Sequence, residues 1–528
     1  MKKNSSFEYP KSNSLIYLII FTTILTTIFF SSNCKNSQRP EPMAGNTKAS
    51  SANDNEGLAS TNPLKNMFGI NMYEWNMLNG GTILEKNIPL IKSFSLARHY
   101  MDWDKLEHTQ GSYTFNPTNQ GGWDYDAMYT RLKQEGILVL ACLKTTPPWL
   151  VSTWPAAEQD NENVPIPFGA DRSDPASYIA QAKVAFQYAA RYGFNTTVDK
   201  SLLSVSKENK LLVGMGLIKY IECNNEEDRW WKGPKAQQSA EEYAANMSAF
   251  YDGNMGKLGK GVGIKTADPT MVVVMGGLAL DDPIYVKNMI EWCKKNRGYK
   301  ADGSINLCFD IINYHRYTRL NDVGVAPELS TAGKVADSFV SVANTLINKP
   351  EVWITECGYD INPGSSQRAI PIGDKSALVT QGDWTLRTAL LYMRHGISKL
   401  FFYQLFDDTP NSAGTYATAG LIDDKGRRPA ADYMLQTTKL MGNYTYVKTI
   451  SVDPIVDEYK DGTKSMYVLL VPDQKGRTGT YTLDIPNNNS LKIYNLNIGA
   501  DVMTSTLVTP INNKLVIPVS ETPVFVGN

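Results

Sequence analysis

Histidine is scarce in this chain, with four among 528 residues, and neither an HExxH signature nor a CxxC pair occurs, so a dedicated zinc site has no ligand set to draw on. Cysteine is also sparse. Apart from Cys34, the five cysteines Cys142, Cys223, Cys293, Cys308 and Cys357 are odd in number and sit mostly inside apolar runs, which argues against a disulfide framework. Net charge is missing as well: 52 basic residues balance 53 acidic ones, so no whole-molecule field recruits nucleic acid or an anionic membrane surface. The long apolar run at 15–30 falls short of the roughly 20 residues a spanning helix needs.

That run has a different reading. Lys2 and Lys3 precede it, and Ser31, Ser32, Asn33 and Cys34 follow, so segment 1–34 resembles the export signal of a bacterial lipoprotein, with Cys34 as the lipidated residue. The expectation is an exported protein, held at the cell envelope by a membrane anchor at Cys34; an uncleaved membrane anchor is the alternative. Residues 35–62 turn to Ser, Asn, Pro, Gly and charge without periodicity, the composition of a flexible tether.

From residue 63 to about 440, short β-rich runs alternate with helical segments. The strand candidates are 68–73, 94–100, 137–143, 217–223, 271–276, 307–314, 352–356 and 400–404, several of them nearly continuous apolar runs as parallel strands buried on both faces require. Between them, Ser239 and Glu242 form a capping-box pattern ahead of Tyr243, Met247 and Phe250, and Gly136 stops the helix that carries Met128 and Leu132. Eight such units without a Gly-rich dinucleotide fingerprint after the first strand predict an α/β fold of the closed (β/α)8 TIM-barrel type. Beyond 441 helical periodicity disappears. Runs at 466–471, 481–485, 491–496 and 515–519, with a last strand through Val526, predict a small C-terminal β-sandwich over 441–528.

Working residues of such a barrel sit where apolar strands end on polar side chains. The fourth strand breaks into Asn224, Asn225, Glu226, Glu227 and Asp228, and the seventh ends on Thr355 and Glu356. A single strand-end glutamate is ordinarily a solvated or salt-bridged loop residue. Two of them, on strands that face each other across the barrel mouth, are what glycosidic bond cleavage needs: one carboxyl to protonate the leaving oxygen, another to attack the anomeric carbon or activate water.

Asn225-Glu226 after strand four and Thr355-Glu356 ending strand seven resemble the signature of clan A glycoside hydrolases, most similar to the family 39 type. The resemblance covers roughly 68–528, and includes the stretch from Ala97 to Trp103 with Arg98, then Glu107 and Gly111, and the sixth-strand run DIINYHRY from Asp310 to Tyr317. It implies Glu226 as acid/base and Glu356 as nucleophile, Asn225 on the sugar 2-hydroxyl, Arg98 holding Glu356 ionised, and His315 and Tyr317 flanking the pair. Asn224 stands where many relatives have Trp, and Tyr403 and Gln404 stand where an aromatic platform is common, so Gln404 joins the substrate-binding positions.

Trp149, Trp230 and Trp231 are candidates for stacking on sugar rings, with core packing as the competing explanation. Lys144, Lys232 and Arg316 lie near strand ends, where an anionic sugar would need them, but a solvated face is the ordinary place for such residues. The expectation is a retaining glycosidase that acts on a carbohydrate, needs no cofactor and no metal, and binds no nucleic acid. The alternative from another class is a surface lipoprotein that binds glycan without cleaving it.

Overall fold

The computed structural model describes residues 61–116, 121–485 and 489–528; the expected signal with Cys34 and the tether up to residue 60 lie outside them. Eight parallel strands build the central sheet: β1 (Gly69–Met72), β2 (Leu96–Asp102), β3 (Leu138–Lys144), β4 (Tyr220–Cys223), β5 (Val272–Met275), β6 (Ile312–His315), β7 (Val352–Cys357) and β8 (Lys399–Phe402). They neighbour one another in the order β5-β4-β3-β2-β1-β8-β7-β6. Isolated parallel bridges from Val274 to Ile311 and from Leu278 to Tyr314 join β5 to β6, so the sheet closes into a barrel. Each expected strand has its counterpart, shifted by a few residues at the ends. The sixth is the most shortened, since 307–311 only lead into β6.

A helix follows every strand: Ile88–Ile91, Tyr125–Gln134, Ile179–Tyr192, Ala240–Asp252, Ile284–Asn296, Ala332–Asn344, Ala377–Arg394 and Pro429–Met441. The fourth starts on the expected capping box, in which the Ser239 side chain accepts from Glu242 N and the Glu242 carboxylate accepts from Ser239 N, and ends on Gly253 in the left-handed region.

The barrel interior is layered by the period of two along each strand. Its apolar floor is formed by Leu96, Leu140, Val274, Ile311, Trp353 and Phe401. Gly69 is required there, because a Cβ would lie 2.6 Å from both the Leu400 carbonyl oxygen and the Phe401 ring. Two residues further along the same inward face come Arg98, Cys142, Asn313 and Thr355, all with 0% exposure. A polar layer thus rests on an apolar one.

Among the described residues after Met441 all regular structure is strand. β9 (Thr445–Val452), β10 (Ile455–Asp461), β11 (Lys464–Leu470), β12 (Gly479–Asp484), β13 (Leu491–Asn495), β14 (Thr504–Val508), β15 (Lys514–Val519) and β16 (Val524–Gly527) follow in turn. They form a six-stranded sheet, β9-β10-β11-β16-β13-β14, and a separate β12-β15 pair. Val456, Leu469, Leu483, Leu515, Ile517 and Val526 fill a second core, while Tyr446, Tyr459, Met466, Val468 and Phe525 join the barrel core. This is the expected sandwich. Strands β9, β10 and β14 were not anticipated. In β10 the charged residues Asp457, Glu458 and Asp461 mask the apolar signal, and pairing to β9 and β11 imposes the extended form.

Candidate active site

Consecutive strand residues normally point to opposite faces, yet Thr355 and Glu356 both face the barrel interior. The register of β7 shifts against both of its neighbours between Ile354 and the 356–357 step, and such a bulge re-aims side chains. Glu356 therefore enters the polar layer together with Thr355.

Arg98, wholly buried, organises that layer. Its Nε and Nη2 donate to Glu222 at 2.6 and 3.0 Å, its Nη1 donates to Glu356 Oε1 at 2.9 Å and to Asn71 Oδ1 at 3.0 Å, and Nη2 also reaches Asn225 Oδ1 at 2.7 Å. The contact with Glu356 that the resemblance implies and a buried salt bridge to Glu222 are made by one guanidinium, which its planar fork allows. Glu222 is fixed in turn by the Gly277 N–H, Asn313 Nδ2 and the Thr355 hydroxyl.

Two phenols complete the shell of Glu356. Tyr100 donates to Oε1, and Tyr317 donates to Oε2 at 3.0 Å. Burial alone would raise the Glu356 carboxyl, but the charges of His315 and Arg98 and the hydrogen bonds from Tyr100 and Arg98 outweigh it and hold the group below the ordinary glutamate range.

Glu226 lies just beyond β4, after Asn224, and both residues have positive φ, 61° at Asn224 and 54° at Glu226. The left-handed region is uncommon for glutamate and costs on the order of 1 kcal/mol or more unless the surroundings impose it. Here they do. Glu226 N donates to the Gly277 carbonyl at 3.0 Å, and the Glu226 carbonyl accepts from both the backbone N and the Nε of Arg229, at 3.0 and 2.9 Å.

His315 Nδ1 is 2.7 Å from Glu226 Oε1, and its Nε2 is 3.0 Å from the Thr355 hydroxyl. That hydroxyl gives its proton to Glu222, so it meets His315 as an acceptor and Nε2 carries a proton. Burial would lower the imidazole, but the Glu356 and Glu226 carboxylates raise it. For Glu226 burial dominates. It pushes the carboxyl up, Glu356 and Asp228 push the same way, and the His315 contact only partly opposes them. One oxygen from each glutamate and a ring nitrogen of His315 all lie within 4.8 Å of one another.

The other expected positions are distributed differently. Trp230 and Trp231 stand 55% and 51% exposed, edge to face on a short turn shortly after Glu226. Trp149 is committed to packing: its Nε1 donates to the Glu107 carbonyl and its ring meets Trp103 edge-on. Gln404 is buried, its backbone is bound to Ala419 and Leu421, and among the described residues its Nε2 has no acceptor. Asn224 joins an amide network with Gln181 and Asn246 instead of facing the mouth. Lys144, Lys232 and Arg316 are all ion-paired, to Asp102, to Glu162 and Asp160, and to Asp281.

The sequence reading had no role for Glu222, Asn71, Asn313 or Tyr100. The period of two did point to them, since Tyr100 follows Arg98 by two and Asn313 precedes His315 by two. It also missed an aromatic wall beside Glu356. Trp75 stacks on Tyr73 at 4.4 Å and Tyr73 on Tyr100 at 5.1 Å, while Tyr416 leans on Tyr317 at 4.8 Å.

Glu226, His315 and Glu356 have a spacing that could hold a metal ion. Both Glu356 oxygens already accept hydrogen bonds, and the Arg98 cation bonds to one of them. The group is better suited to moving protons than to holding a dication.

No protein-family model matches this sequence, and no curated protein does. Solved structures do resemble it. A family 39 glycoside hydrolase from the gut symbiont Bacteroides cellulosilyticus WH2 superposes with a TM-score of 0.59 at 17% identity, over 88% of this chain and 81% of that one. A family 30 subfamily 8 xylanase from Clostridium acetobutylicum gives 0.52 at 13%, over 87% and 95%. A conserved exported protein from Bacteroides fragilis gives 0.53 at 10%, over 90% and 99%. The chain shares the fold of these solved structures. At these identities the likeness establishes architecture, and chemistry has to be argued from the site.

Proposed function

We propose that this chain is a retaining glycoside hydrolase that cleaves β-glycosidic bonds in a polysaccharide or oligosaccharide. The observation that carries the reading is the pair Glu226 and Glu356, with oxygens within 4.8 Å of each other and environments that drive their protonation apart. A raised acid beside a depressed carboxylate is the division of labour that double displacement requires.

In this mechanism Glu356 attacks the anomeric carbon while Glu226 gives its proton to the departing oxygen. A covalent glycosyl-enzyme forms, and the alcohol half of the substrate leaves. Glu226, now a carboxylate, takes a proton from water, and the resulting hydroxide character displaces Glu356 from the same face the alcohol vacated. Two inversions give net retention. An inverting enzyme would hold its carboxyls roughly 6.5 to 9.5 Å apart to admit a water, more than separates this pair. His315, held by the Thr355 hydroxyl at Nε2, lies 2.7 Å from Glu226 Oε1 through Nδ1 and keeps that carboxyl aimed between reaction steps.

Asn225 spends its amide oxygen on Arg98, so its NH2 is the end left to donate to a sugar 2-hydroxyl. Trp230 and Trp231, on the acid/base side, offer rings to the leaving-group sugars. Nothing comparable supports a binding-only protein, which would have no use for two adjacent carboxyls of opposed character. We further propose that 63–440 is the catalytic unit and 441–528 its support, and that export and a lipid at Cys34 place both at the cell envelope. The test is proton NMR of the first product from an aryl β-glycoside. A β-anomer appearing before mutarotation is expected; an α-anomer removes Glu356 from the nucleophile's role.

A further inference from the structure

Next to the acid/base, one buried cation has no part in the reaction as described. Arg229 is 6% exposed and follows Glu226 by three residues. Its Nε donates to the Glu226 carbonyl at 2.9 Å, its Nη2 donates to the Asn225 carbonyl and to the Glu227 carboxylate, and its Nη1 faces Glu162 at 3.5 Å. A single guanidinium therefore grips the backbone of the acid/base and of the residue before it. Asn225 and Glu226 both put their side chains on the reacting sugar in the proposed mechanism, opposite the nucleophile Glu356.

The grip is needed because Glu226 holds a backbone conformation that glutamate rarely adopts, with φ at 54°. Released from its outside contacts, the peptide would relax toward the ordinary region and swing the carboxyl away from His315. Arg229 is itself braced from the other side. Glu162 pairs with Lys232 at 2.6 Å, Asp160 pairs with Lys235 at 3.2 Å, and Val164 N bonds the Lys235 carbonyl at 3.0 Å. The loop after β3 is thereby tied to the turn that carries Trp230 and Trp231.

We infer that Arg229 is a positioning residue for the general acid: it holds the left-handed Glu226 peptide so that the carboxyl points at the leaving oxygen. The inference rests on the proposed role of Glu226. Lysine cannot replace it, since an ammonium group presents no planar fork to two carbonyls and a carboxylate at once.

The test uses leaving groups of different need for protonation. Arg229→Lys and Glu226→Ala are compared with wild type on a 2,4-dinitrophenyl glycoside, whose leaving group departs without a proton, and on the phenyl or methyl glycoside of the same sugar. Glu226→Ala is expected to lose about a thousandfold or more in kcat/KM on the poor leaving group and little on the activated one. Arg229→Lys is expected to show the same asymmetry at about ten- to a hundredfold, a pattern that general loss of structure would not produce. Equal losses on both substrates, or no loss on either, overturn the inference while Glu226→Ala keeps its asymmetry. If Glu226→Ala itself shows none, the acid assignment falls and this inference falls with it. Should Arg229→Lys not fold, Arg229→Gln, whose amide can still reach one carbonyl, is read by the same ratio.

Discussion

His315 stands with Nδ1 2.7 Å from Oε1 of Glu226, closer than to any oxygen of Glu356, the nearest of which is 3.7 Å away. The imidazole thus belongs to Glu226, the proposed acid, while Arg98, Tyr100 and Tyr317 belong to Glu356, the proposed nucleophile. Two carboxyls in one pocket are distinguished by which donors each has been given.

The pH dependence follows from that division. Activity needs Glu356 ionised and Glu226 protonated. The folded Glu356 lies below the ordinary glutamate value, so the acid limb of kcat/KM is expected below that value, and activity is lost as pH falls through it. Glu226 lies above the ordinary value, so activity is lost as pH rises through its own, higher value. A bell-shaped profile whose two limbs bracket the ordinary glutamate range is the expected measurement. In Glu226→Gln, assayed on an activated substrate, the alkaline limb should vanish.

Tyr317→Phe removes the donor on Glu356 Oε2 without emptying the space of the ring. A hydrogen bond to a charged group contributes about 1.5 to 3 kcal/mol, so kcat/KM should fall roughly ten- to a hundredfold. The acid limb should also move upward, because the carboxylate has lost a group that favours its ionised form. An unmoved limb would mean that Tyr317 does not stabilise that charge.

Gly277 is packed so closely that a Cβ would stand 2.0 Å from His315 Nε2. Gly277→Ala must displace the imidazole from Glu226 and Thr355, and is expected to cost activity by about tenfold or more. Thermal unfolding and kinetics measured together separate local displacement from general loss of stability. Wild-type activity in a folded Gly277→Ala would show that the position of His315 is not critical.

Prolonged treatment with EDTA should leave the rate unchanged, because the donors on both Glu356 oxygens already do what a dication would do there. A loss restored by one divalent ion would reassign Glu226, His315 and Glu356 as metal ligands.

The C-terminal sheet is expected to be structurally necessary. Asp457 of β10, 1% exposed at its side chain, accepts from Arg394 at 2.7 Å and from Thr449 at 2.6 Å, so it ties the last turn of helix Ala377–Arg394 to the sandwich. Asp457→Ala leaves Arg394 largely buried without its partner, at a cost of roughly 3 to 5 kcal/mol. A midpoint in urea unchanged from wild type would make the sandwich an appendage.

Much of this protein was legible in its sequence for a local reason. Parallel strands buried on both faces must be nearly continuous apolar runs, so each run and the polar residue that ends it stood out, and Glu226 and Glu356 were found at two of those ends. Residue patterns did not join the site together, because the partners are remote along the chain: Arg98 beside Glu356, 258 residues away, was expected only from the family resemblance, and Glu222, 124 residues from Arg98, was not expected at all. No periodicity links such positions, and only closure of the barrel brings them within hydrogen-bond reach. The β7 bulge that turns Thr355 and Glu356 to the same side, and the left-handed turn that Arg229 holds at Glu226, are likewise absent from residue patterns. The sequence by itself determined which carboxyls were available; the tertiary structure decided how their ionisation is biased, since that depends on neighbours such as Arg98, Tyr100, Asp228 and His315 that the fold assembles from separate strands and loops.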